Sequence, residues 1–461
     1  MKTGMYVNSR QVRKYGFVLL IAMVFAVYSL FSAMRPLEDD ESLYVLTGRA
    51  MLGGALDPFK VLYYGHYSNP FHYIMGSPLA PLIYGASYNA GGILLVRMVS
   101  ALFVVLSLAL VYLLIRRLKG NAVVPLALIA FSGAAITLAS DGFLDSIALF
   151  FLMASLYFGQ GKKMLYSGIF SGLAMTTKFI LVIPVAVMLI YHVSQRKWSR
   201  YLAGCLAVSV PFLMLYRNLI PVLINFLLVT KVNAASAGSA WTFLNILAIT
   251  IPACSVIAAY LAYSGKSYRK IAPYALFLLP AFSVLAYQII FLDYSSLVRH
   301  LPYAEFSAAV FVGAKMTKKP GPRAFLLLTV FAVMSMLIAY SEVNNYPSYN
   351  MIADHLGDVD GKVLALNLNN YMLAKGMPLN STASEVYSYY YFSYDNVVDS
   401  KIEEYEAALK DGYFSYALIA SYPSSKYPRY VMIEDLVRKY YCPEFESGRP
   451  NGIDIYKRCG S

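Results

Sequence analysis

The sequence predicts a mainly α-helical, polytopic membrane protein with a small α/β domain at its C-terminus. Of the 461 residues, 59% are hydrophobic and 14% are charged, and the mean hydropathy is +0.55. Soluble proteins carry about 25% charged residues. Between Gly16 and Tyr340 the chain consists mostly of apolar runs of roughly 18–23 residues, long enough to cross a hydrocarbon core of about 30 Å. These runs stop after Glu342, so we place a domain boundary at residue 344.

About eleven apolar segments are predicted to span the membrane. The first follows a basic N-terminus and is interpreted as a retained span rather than a signal peptide, because it has full length and no small-residue cleavage site is obvious. The segments that begin at 164 and 179 are short and are predicted to form a tight hairpin at Lys178. The predicted spans cover 15–34, 92–115, 121–139, 143–159, 164–178, 179–194, 201–217, 241–263, 271–292, 301–315 and 323–341.

Basic residues are concentrated in alternate loops, which predicts a cytoplasmic N-terminus. An odd number of spans then places the C-terminal domain, 345–461, outside the cell membrane, and it makes 35–91 a long first outside loop. The net charge of +13 does not indicate nucleic-acid binding, because the cations form short clusters between apolar runs. The predicted inside clusters are 116–119, 162–163, 196–200, 266–270 and 315–323.

The C-terminal domain has the pattern of a small α/β unit. Strands are predicted at 362–367 and 416–421, and amphipathic helices at 402–409 and 432–440. Cys442 and Cys459 would form a disulfide if this domain faces an oxidising compartment. Asn380 begins an N-glycosylation acceptor pattern, which matters only if the host glycosylates that face. No catalytic motif is evident here, and no cysteine pair has the spacing of metal ligands.

Acids and bases collect on the predicted outer side. Each has an ordinary structural interpretation: a solvated helix start for Asp39–Glu41, an N-cap for Asp145, a snorkelling lysine for Lys178 and a membrane anchor for Arg299. Taken together, several carboxylates and two cations on one face indicate an anionic, phosphate-bearing substrate beside a base or a metal. The outer-side residues are Glu38, Asp39, Asp40, Glu41, Asp141, Asp145, Lys178, Asp293, Arg299 and His300.

Four stretches resemble a known family, the GT-C-fold glycosyltransferases that use lipid-phosphate sugars. The similarity is to the protein O-mannosyltransferase and aminoarabinose transferase group, and it covers roughly residues 35–195; Arg299–Pro302 is a looser match. The stretches that carry it are Asp40–Tyr44 (DESLY), Ser77–Leu82 continuing through Gly92–Arg97 to Leu118, Asp145–Phe151 (DSIALFF) and Gly168–Lys178 (GIFSGLAMTTK).

The resemblance implies transfer of a sugar from a polyprenyl-phosphate carrier to a hydroxyl of a protein, lipid or glycan on the non-cytoplasmic face. Asp40 would be the catalytic base with Glu41 supporting it, and Asp145 would orient the acceptor. Lys178 and Arg299 would hold the carrier phosphate. The other substrate-binding residues that it implies are His300, Tyr44, His72 and Arg97.

Some questions stay open at the level of sequence. Asp40 and Asp145 are also candidate ligands of a divalent metal cation. The extra Asp39 makes it ambiguous which acid is the base. Where the family often has His or Lys before the proline-rich element, this chain has Ser77, and His66 or His72 would have to substitute from a distance.

Two other function classes fit a polytopic protein. A transporter or flippase of a lipid or polysaccharide would place charges near the middle of the membrane, often within repeated halves, and neither is evident here. A noncatalytic scaffold or receptor would tolerate neutralisation of Asp40. The one-sided charge favours the transferase, with a lipid-linked sugar and an acceptor as its partners.

Overall fold

The computed structural model is mainly helical, with a small sheet near the C-terminus. It describes only part of the chain, and all that follows concerns that part. The described residues are 9–54, 78–215, 217, 275–290, 297–316, 329–330, 332–333, 336–337, 340, 349–357, 359, 361–365, 368–377, 386–388, 402–420, 428–447 and 452–460.

Eleven α-helices are described in the N-terminal part, and all but the second lie at or near the predicted spans. A 3₁₀ turn, Phe179–Leu181, joins the seventh and eighth helices at the predicted hairpin. The predicted span 241–263 lies outside the described residues, and only isolated residues of 323–341 are described. The helices are α1 Ser9–Met34, α2 Asp39–Leu52, α3 Leu79–Arg117, α4 Val123–Ala130, α5 Gly133–Ser140, α6 Leu144–Gln160, α7 Met164–Thr177, α8 Val182–Ser194, α9 Trp198–Leu215, α10 Ala275–Ile290 and α11 Leu297–Lys315.

Two of the described helices, α3 and α9, are long and apolar enough to cross a membrane, and the bent pair α4–α5 would make a third span. Several other described helices are apolar but shorter, so the number of spans remains a prediction. Large hydrophobic side chains such as Leu19, Ile190 and Met214 are exposed on the bundle, each at more than half of its surface. Exposed apolar faces of this kind are typical of contact with lipid rather than water.

The predicted third span is broken into two helices. α4 and α5 meet at an angle of 58°. Ser132 has an extended backbone and caps α5 by accepting a hydrogen bond from the Ala135 N–H at 3.1 Å. Its hydroxyl also donates to Glu305 at 2.7 Å. The cap supplies the reason for the break, since a capped helix start is incompatible with a continuous helix.

The predicted first outer loop contains helical structure. α2 occupies its beginning, and α3 begins well before the predicted second span, with non-helical backbone at Gly91 and Gly92. Gly92 has a φ of 68°, a conformation that favours glycine. α2 packs closely on α3, because a Cβ atom on Gly48 would lie only 1.8 Å from the Pro81 carbonyl oxygen.

The C-terminal part contains a five-stranded sheet. Its strand order is β2-β1-β3-β5-β4, with β1 parallel to both β2 and β3 and antiparallel pairing from β3 to β5 and from β5 to β4. The elements are α12 Tyr349–Leu356, β1 Lys362–Ala365, α13 Leu368–Ala374, β2 Val386–Ser388, α14 Ile402–Asp411, β3 Phe414–Ala420, α15 Pro428–Tyr440, β4 Tyr441–Phe445 and β5 Ile453–Arg458. Cys442 and Cys459 form a disulfide between β4 and the residue after β5.

The sheet unit is packed against the helical bundle through α2. One buried cluster joins Leu43 and Leu46 of α2 to Tyr371 and Met372 of α13. Asn370, also buried, accepts a hydrogen bond from the Ser42 hydroxyl at 2.6 Å and donates to the Leu37 carbonyl at 3.2 Å. The C-terminal part therefore supports the helix that carries Asp40 and Glu41.

Candidate active site

Asp40 lies in the first turn of α2, where Glu38 caps the helix. Glu38 has extended backbone angles, and its carboxylate accepts a hydrogen bond from the Asp40 backbone N–H at 2.8 Å. The acidic run therefore starts a helix, as one of the interpretations of the sequence proposed. The cap fixes the direction in which the first turn projects its side chains.

Arg299, in the first turn of α11, pairs with two of these acids. Its Nη1 donates to Asp40 Oδ2, and its Nη2 donates to Glu38 Oε1 at 3.1 Å. The guanidinium lies over the Phe143 ring, 4.5 Å from the ring centroid. The Asp40 and Arg299 side chains are 19% and 25% exposed, so this pair is open to a ligand.

Asp145 is the centre of a second, buried cluster at the start of α6. Its Oδ2 accepts from Lys178 Nζ at 3.0 Å, and its Oδ1 accepts from the Tyr303 hydroxyl at 2.7 Å. His300 Nε2 lies 3.7 Å from the same Oδ1. The N-cap residue of α6 is Phe143 rather than Asp145, so this carboxylate joins α6 to the end of α7 and the start of α11 instead of capping its own helix.

Glu41 and Arg97 form a fully buried bidentate pair between α2 and α3. Arg97 Nε and Nη2 donate to the two Glu41 oxygens at 2.8 and 2.6 Å. The remaining donors reach the carbonyls of Ser32, Arg35 and Pro36. A guanidinium has five N–H donors, so all of them are used. Arg97 thus has no donor left for the substrate contact that the sequence predicted, because the fold uses it to hold the start of α2.

Asp141, between α5 and α6, forms a further buried ion pair. Its Oδ2 lies 2.9 Å from Arg35 Nη1, and the two side chains are 2% and 8% exposed. Burial raises the pKa of Asp141 to about 6, although Arg35 and Arg97 act in the opposite direction. The neighbouring Gly142 N–H donates to Glu41 Oε1 at 2.9 Å, which joins this pair to the Glu41–Arg97 pair.

The other predicted substrate contacts are partly placed. Tyr44 is buried on α2 and is close enough to Arg299 and Tyr303 to interact with both electrostatically. His300 is also buried, beside Asp145. His72, together with His66 and Ser77, lies outside the described residues, as does the side chain of Asp39.

The described residues do not provide a metal site. No group of three or more His, Cys, Asp or Glu side chains among them is arranged to hold a metal ion. The two predicted ligands, Asp40 and Asp145, are neutralised by Arg299 and Lys178 respectively. This donor set does not fit a divalent cation, which prefers several unpaired oxygen ligands.

Sequence reasoning missed Tyr303 and Glu38 as site residues. Tyr303 lies three and four residues after His300 and Arg299, so the helical spacing places all three on one side of α11. That spacing was a usable signal. Glu38 precedes the matched Asp40–Tyr44 stretch, and its role as the cap of α2 and second partner of Arg299 has no signal beyond the acidic run.

No protein-family model matches the chain, and no curated protein sequence matches it significantly. Its structure is similar to the crystal structure of ArnT from Cupriavidus metallidurans bound to undecaprenyl phosphate. That comparison has a TM-score of 0.62 and 13% identity, and it covers 97% of this chain and 98% of that one. The chain has the GT-C fold.

A second similar structure is an oligosaccharyltransferase of Archaeoglobus fulgidus, tethered with an acceptor peptide. The TM-score is 0.50 and the identity 14%, and the match covers 95% of this chain and 74% of that one. Both matched proteins have the GT-C fold, so the predicted mainly helical, GT-C-like fold is confirmed, and the apolar helices are consistent with a membrane protein.

Proposed function

We propose that this chain is a membrane glycosyltransferase that moves a sugar from a polyprenyl-phosphate carrier to a hydroxyl acceptor on the non-cytoplasmic face. The observation that carries the proposal is the partly exposed Asp40–Arg299 pair beside the Asp145–Lys178 pair. All four residues lie at helix ends that meet at one end of the bundle. The similar fold of ArnT, crystallised with undecaprenyl phosphate, supports the choice of carrier.

Exposure supports Asp40 as the general base over the other carboxylates whose side chains are described; the side chain of Asp39 lies outside the described residues. A base must reach the proton that it removes. The carboxylates of Glu41, Asp141 and Asp145 are at most 2% exposed, whereas Asp40 is 19% exposed. Glu38 is similarly exposed, but one of its oxygens caps α2 and the other accepts from Arg299.

Arg299 and Lys178 are the proposed contacts of the carrier phosphate. Among the described contacts, Arg299 uses two of its five N–H donors and Lys178 uses one of three. Both therefore retain donors for phosphate oxygens, unlike Arg97. His300 and Tyr44 line the same region and are assigned to substrate binding with them.

The reaction proceeds by one displacement. The acceptor oxygen forms a bond to the anomeric carbon while Asp40 takes its proton. The bond from that carbon to the phosphate oxygen breaks, and the electron pair leaves with the phosphate. Lys178 and Arg299 stabilise the charge that develops there. A single displacement of this kind inverts the anomeric centre.

Asp145 and the Glu41–Arg97 pair act by positioning other groups. Asp145 is 1% exposed, pairs with Lys178 and accepts a hydrogen bond from Tyr303, so it orients the lysine that contacts the phosphate. Glu41 and Arg97 fix the first turn of α2 and hence Asp40. Because the donor set does not fit a metal, no step is assigned to one.

The location follows from the same topology. We propose an integral protein of the cell membrane with a cytoplasmic N-terminus, a transmembrane domain over 1–344 and an external domain over 345–461. The disulfide Cys442–Cys459 supports the external placement, because such bonds persist in oxidising compartments.

The test is a donor panel. Purified protein is incubated with polyprenyl-phosphate sugars and a mixture of hydroxyl acceptors, and release of the carrier phosphate is followed. We expect release from at least one donor, dependent on an acceptor. Movement of the lipid across a vesicle membrane with no release from any donor would contradict the proposal and favour the flippase.

A further inference from the structure

A cavity of about 390 Å³ lies at the opposite end of the bundle from Asp40. α6 begins beside Asp145 and ends at Gln160 on the cavity, and its 17 residues correspond to about 25 Å of helix. α7 and α8 run between the same two ends. The cavity is thus separate from the proposed active site, and its volume is within the range of small-molecule sites, about 300–1,000 Å³.

His192 of α8 lines this cavity and has unsatisfied polar atoms. Its side chain is 1% exposed, and neither ring nitrogen has a hydrogen-bond partner in the described part of the chain. Buried polar groups are nearly always paired, so such a histidine calls for an explanation. Its nearest rings are those of Tyr201 and Tyr191, at centroid distances of 4.6 and 5.5 Å.

The nearby hydroxyl groups are already engaged with each other. Ser155 and Ser171 hydroxyls lie 2.7 Å apart, the Tyr201 hydroxyl lies 2.7 Å from that of Ser171, and the Ser167 hydroxyl donates to the Ser155 carbonyl at 2.8 Å. This network does not include His192. Within the described part of the chain, the cavity is therefore the side from which a hydrogen-bond partner can reach the imidazole.

Gly159 of α6 packs closely beside the imidazole. A Cβ atom at this position would lie 3.7 Å from His192 Nε2 and 3.0 Å from the Ser167 hydroxyl oxygen. Any side chain larger than alanine would fill the wall of the cavity next to His192. Glycine therefore lets α6 pack within van der Waals distance of His192 at the cavity wall.

The charge of the cavity indicates the ligand class. Two exposed lysines, Lys162 and Lys197, line it with the amides of Gln160 and Gln195, and its described lining contains no Asp or Glu. Ammonium and amide groups supply several N–H donors, and a neutral imidazole supplies one more. Converging donors with net positive charge are suited to a phosphate group.

We propose that this cavity binds a phosphate group, with His192 donating a hydrogen bond and Lys162 and Lys197 neutralising the charge. The phosphate can belong to a lipid headgroup or to a free phosphate, since both present the same oxygens. The site lies at the basic end of the bundle, which the sequence places on the cytoplasmic side.

The test measures binding rather than sugar transfer, so it is independent of the proposed activity. Full-length protein in phosphatidylcholine nanodiscs is titrated with inorganic phosphate, and a second preparation contains phosphatidic acid as the only anionic lipid. ³¹P resonances report binding in both. We expect His192→Phe, which keeps an aromatic ring against Tyr201, to weaken binding about tenfold or more.

Lys197→Gln should also weaken binding, and it serves as the second variant if His192→Phe does not fold. Lys163→Gln is the matched control, because Lys163 is exposed beside Lys162 but does not line the cavity. Selective binding of phosphatidic acid assigns a lipid headgroup, and binding of inorganic phosphate assigns a free phosphate. Binding of neither probe, or equal binding by wild type, His192→Phe and Lys197→Gln, would overturn the proposal.

Discussion

At the scale of single residues, the unused hydrogen-bond donors separate supporting cations from substrate-binding ones. Arg97 and Arg299 both belong to predicted site stretches, and both meet carboxylates. All five N–H groups of Arg97 donate to groups inside the protein. Arg299 uses two of its N–H groups among the described residues, and its side chain is 25% exposed. Sequence alone cannot make this distinction, because it depends on carbonyl groups that the fold brings to Arg97.

Lys178→Gln should lower the rate of sugar transfer by about 10²–10³-fold, since the phosphate loses a cation where charge develops. The effect is measured as the rate at which purified variants release the carrier phosphate from the donor. Lys163→Gln, an exposed lysine in the loop at the other end of α7, is the control and should transfer sugar at the wild-type rate. If both variants match wild type, Lys178 does not contact the leaving group.

Asp141 predicts a pH dependence of stability. Its pKa is raised from 3.8 to about 6 by burial, so between these values the folded protein binds a proton that the unfolded chain has lost. The contribution of Asp141 to stability therefore falls as pH rises through about 6.

Thermal unfolding of wild type and Asp141→Asn in detergent, measured from acidic to neutral pH, tests this sign. As pH rises through this range, the melting temperature of wild type should fall relative to that of Asp141→Asn. Asp354→Asn, an exposed acid in α12, should show no such change. A constant difference between wild type and Asp141→Asn would contradict the assignment.

At the scale of elements, the sequence predicts helix ends better than helix breaks. α6 and α7 start and stop within two residues of their predicted bounds, because Asp145, Lys162 and Lys178 mark the ends of apolar runs. The bend between α4 and α5 was not predicted. Ser132 and Gly133 interrupt that apolar run, but serine and glycine in such a run are common without a break. The hydrogen bond from Ser132 to Glu305 joins residues 173 positions apart, so no local sequence pattern indicates it.

The α2–α3 connection should depend on the complete Glu41–Arg97 pair. Arg97→Leu would leave the buried Glu41 carboxylate without an opposite charge, which costs about 3–5 kcal/mol. We expect a lower melting temperature in detergent. Glu41→Gln combined with Arg97→Leu should recover part of the loss, because neither position of the pair then carries an uncompensated buried charge. A double variant less stable than Arg97→Leu alone would show that the pair does not act through charge neutralisation.

At the scale of the whole molecule, the sequence predicted that the charged site residues lie together at one end of the bundle. It did not predict how the C-terminal part packs. Charge placement predicted that Asp40, Asp145, Lys178 and Arg299 would share one end, and the structure brings them into two adjacent ion-pair clusters. The contact between Asn370 and Ser42 joins residues 328 positions apart. No local pattern indicates such a contact, so the sequence alone does not connect the C-terminal part with the proposed site.

Asn370→Leu should therefore reduce both stability and transfer, although it lies outside the membrane part. The Ser42 hydroxyl and the Leu37 carbonyl, which flank Asp40 in sequence, would each lose a partner at about 1–3 kcal/mol. Melting temperature and carrier release are measured together. Lys410→Gln, exposed on α14, is the control from the same domain. Unchanged transfer by Asn370→Leu would separate the C-terminal part from the site.

The central claim is that Asp40 removes the acceptor proton in a sugar transfer from a lipid phosphate. The most direct test compares Asp40→Asn with wild type on the donor found in the panel. Asn keeps the shape of the side chain but cannot take the proton, so we predict acceptor-dependent release to fall by about 10²–10⁴-fold. Asp411→Asn, an exposed acid at the end of α14, should retain full activity. Full activity in Asp40→Asn, with an unchanged melting temperature, would contradict the account.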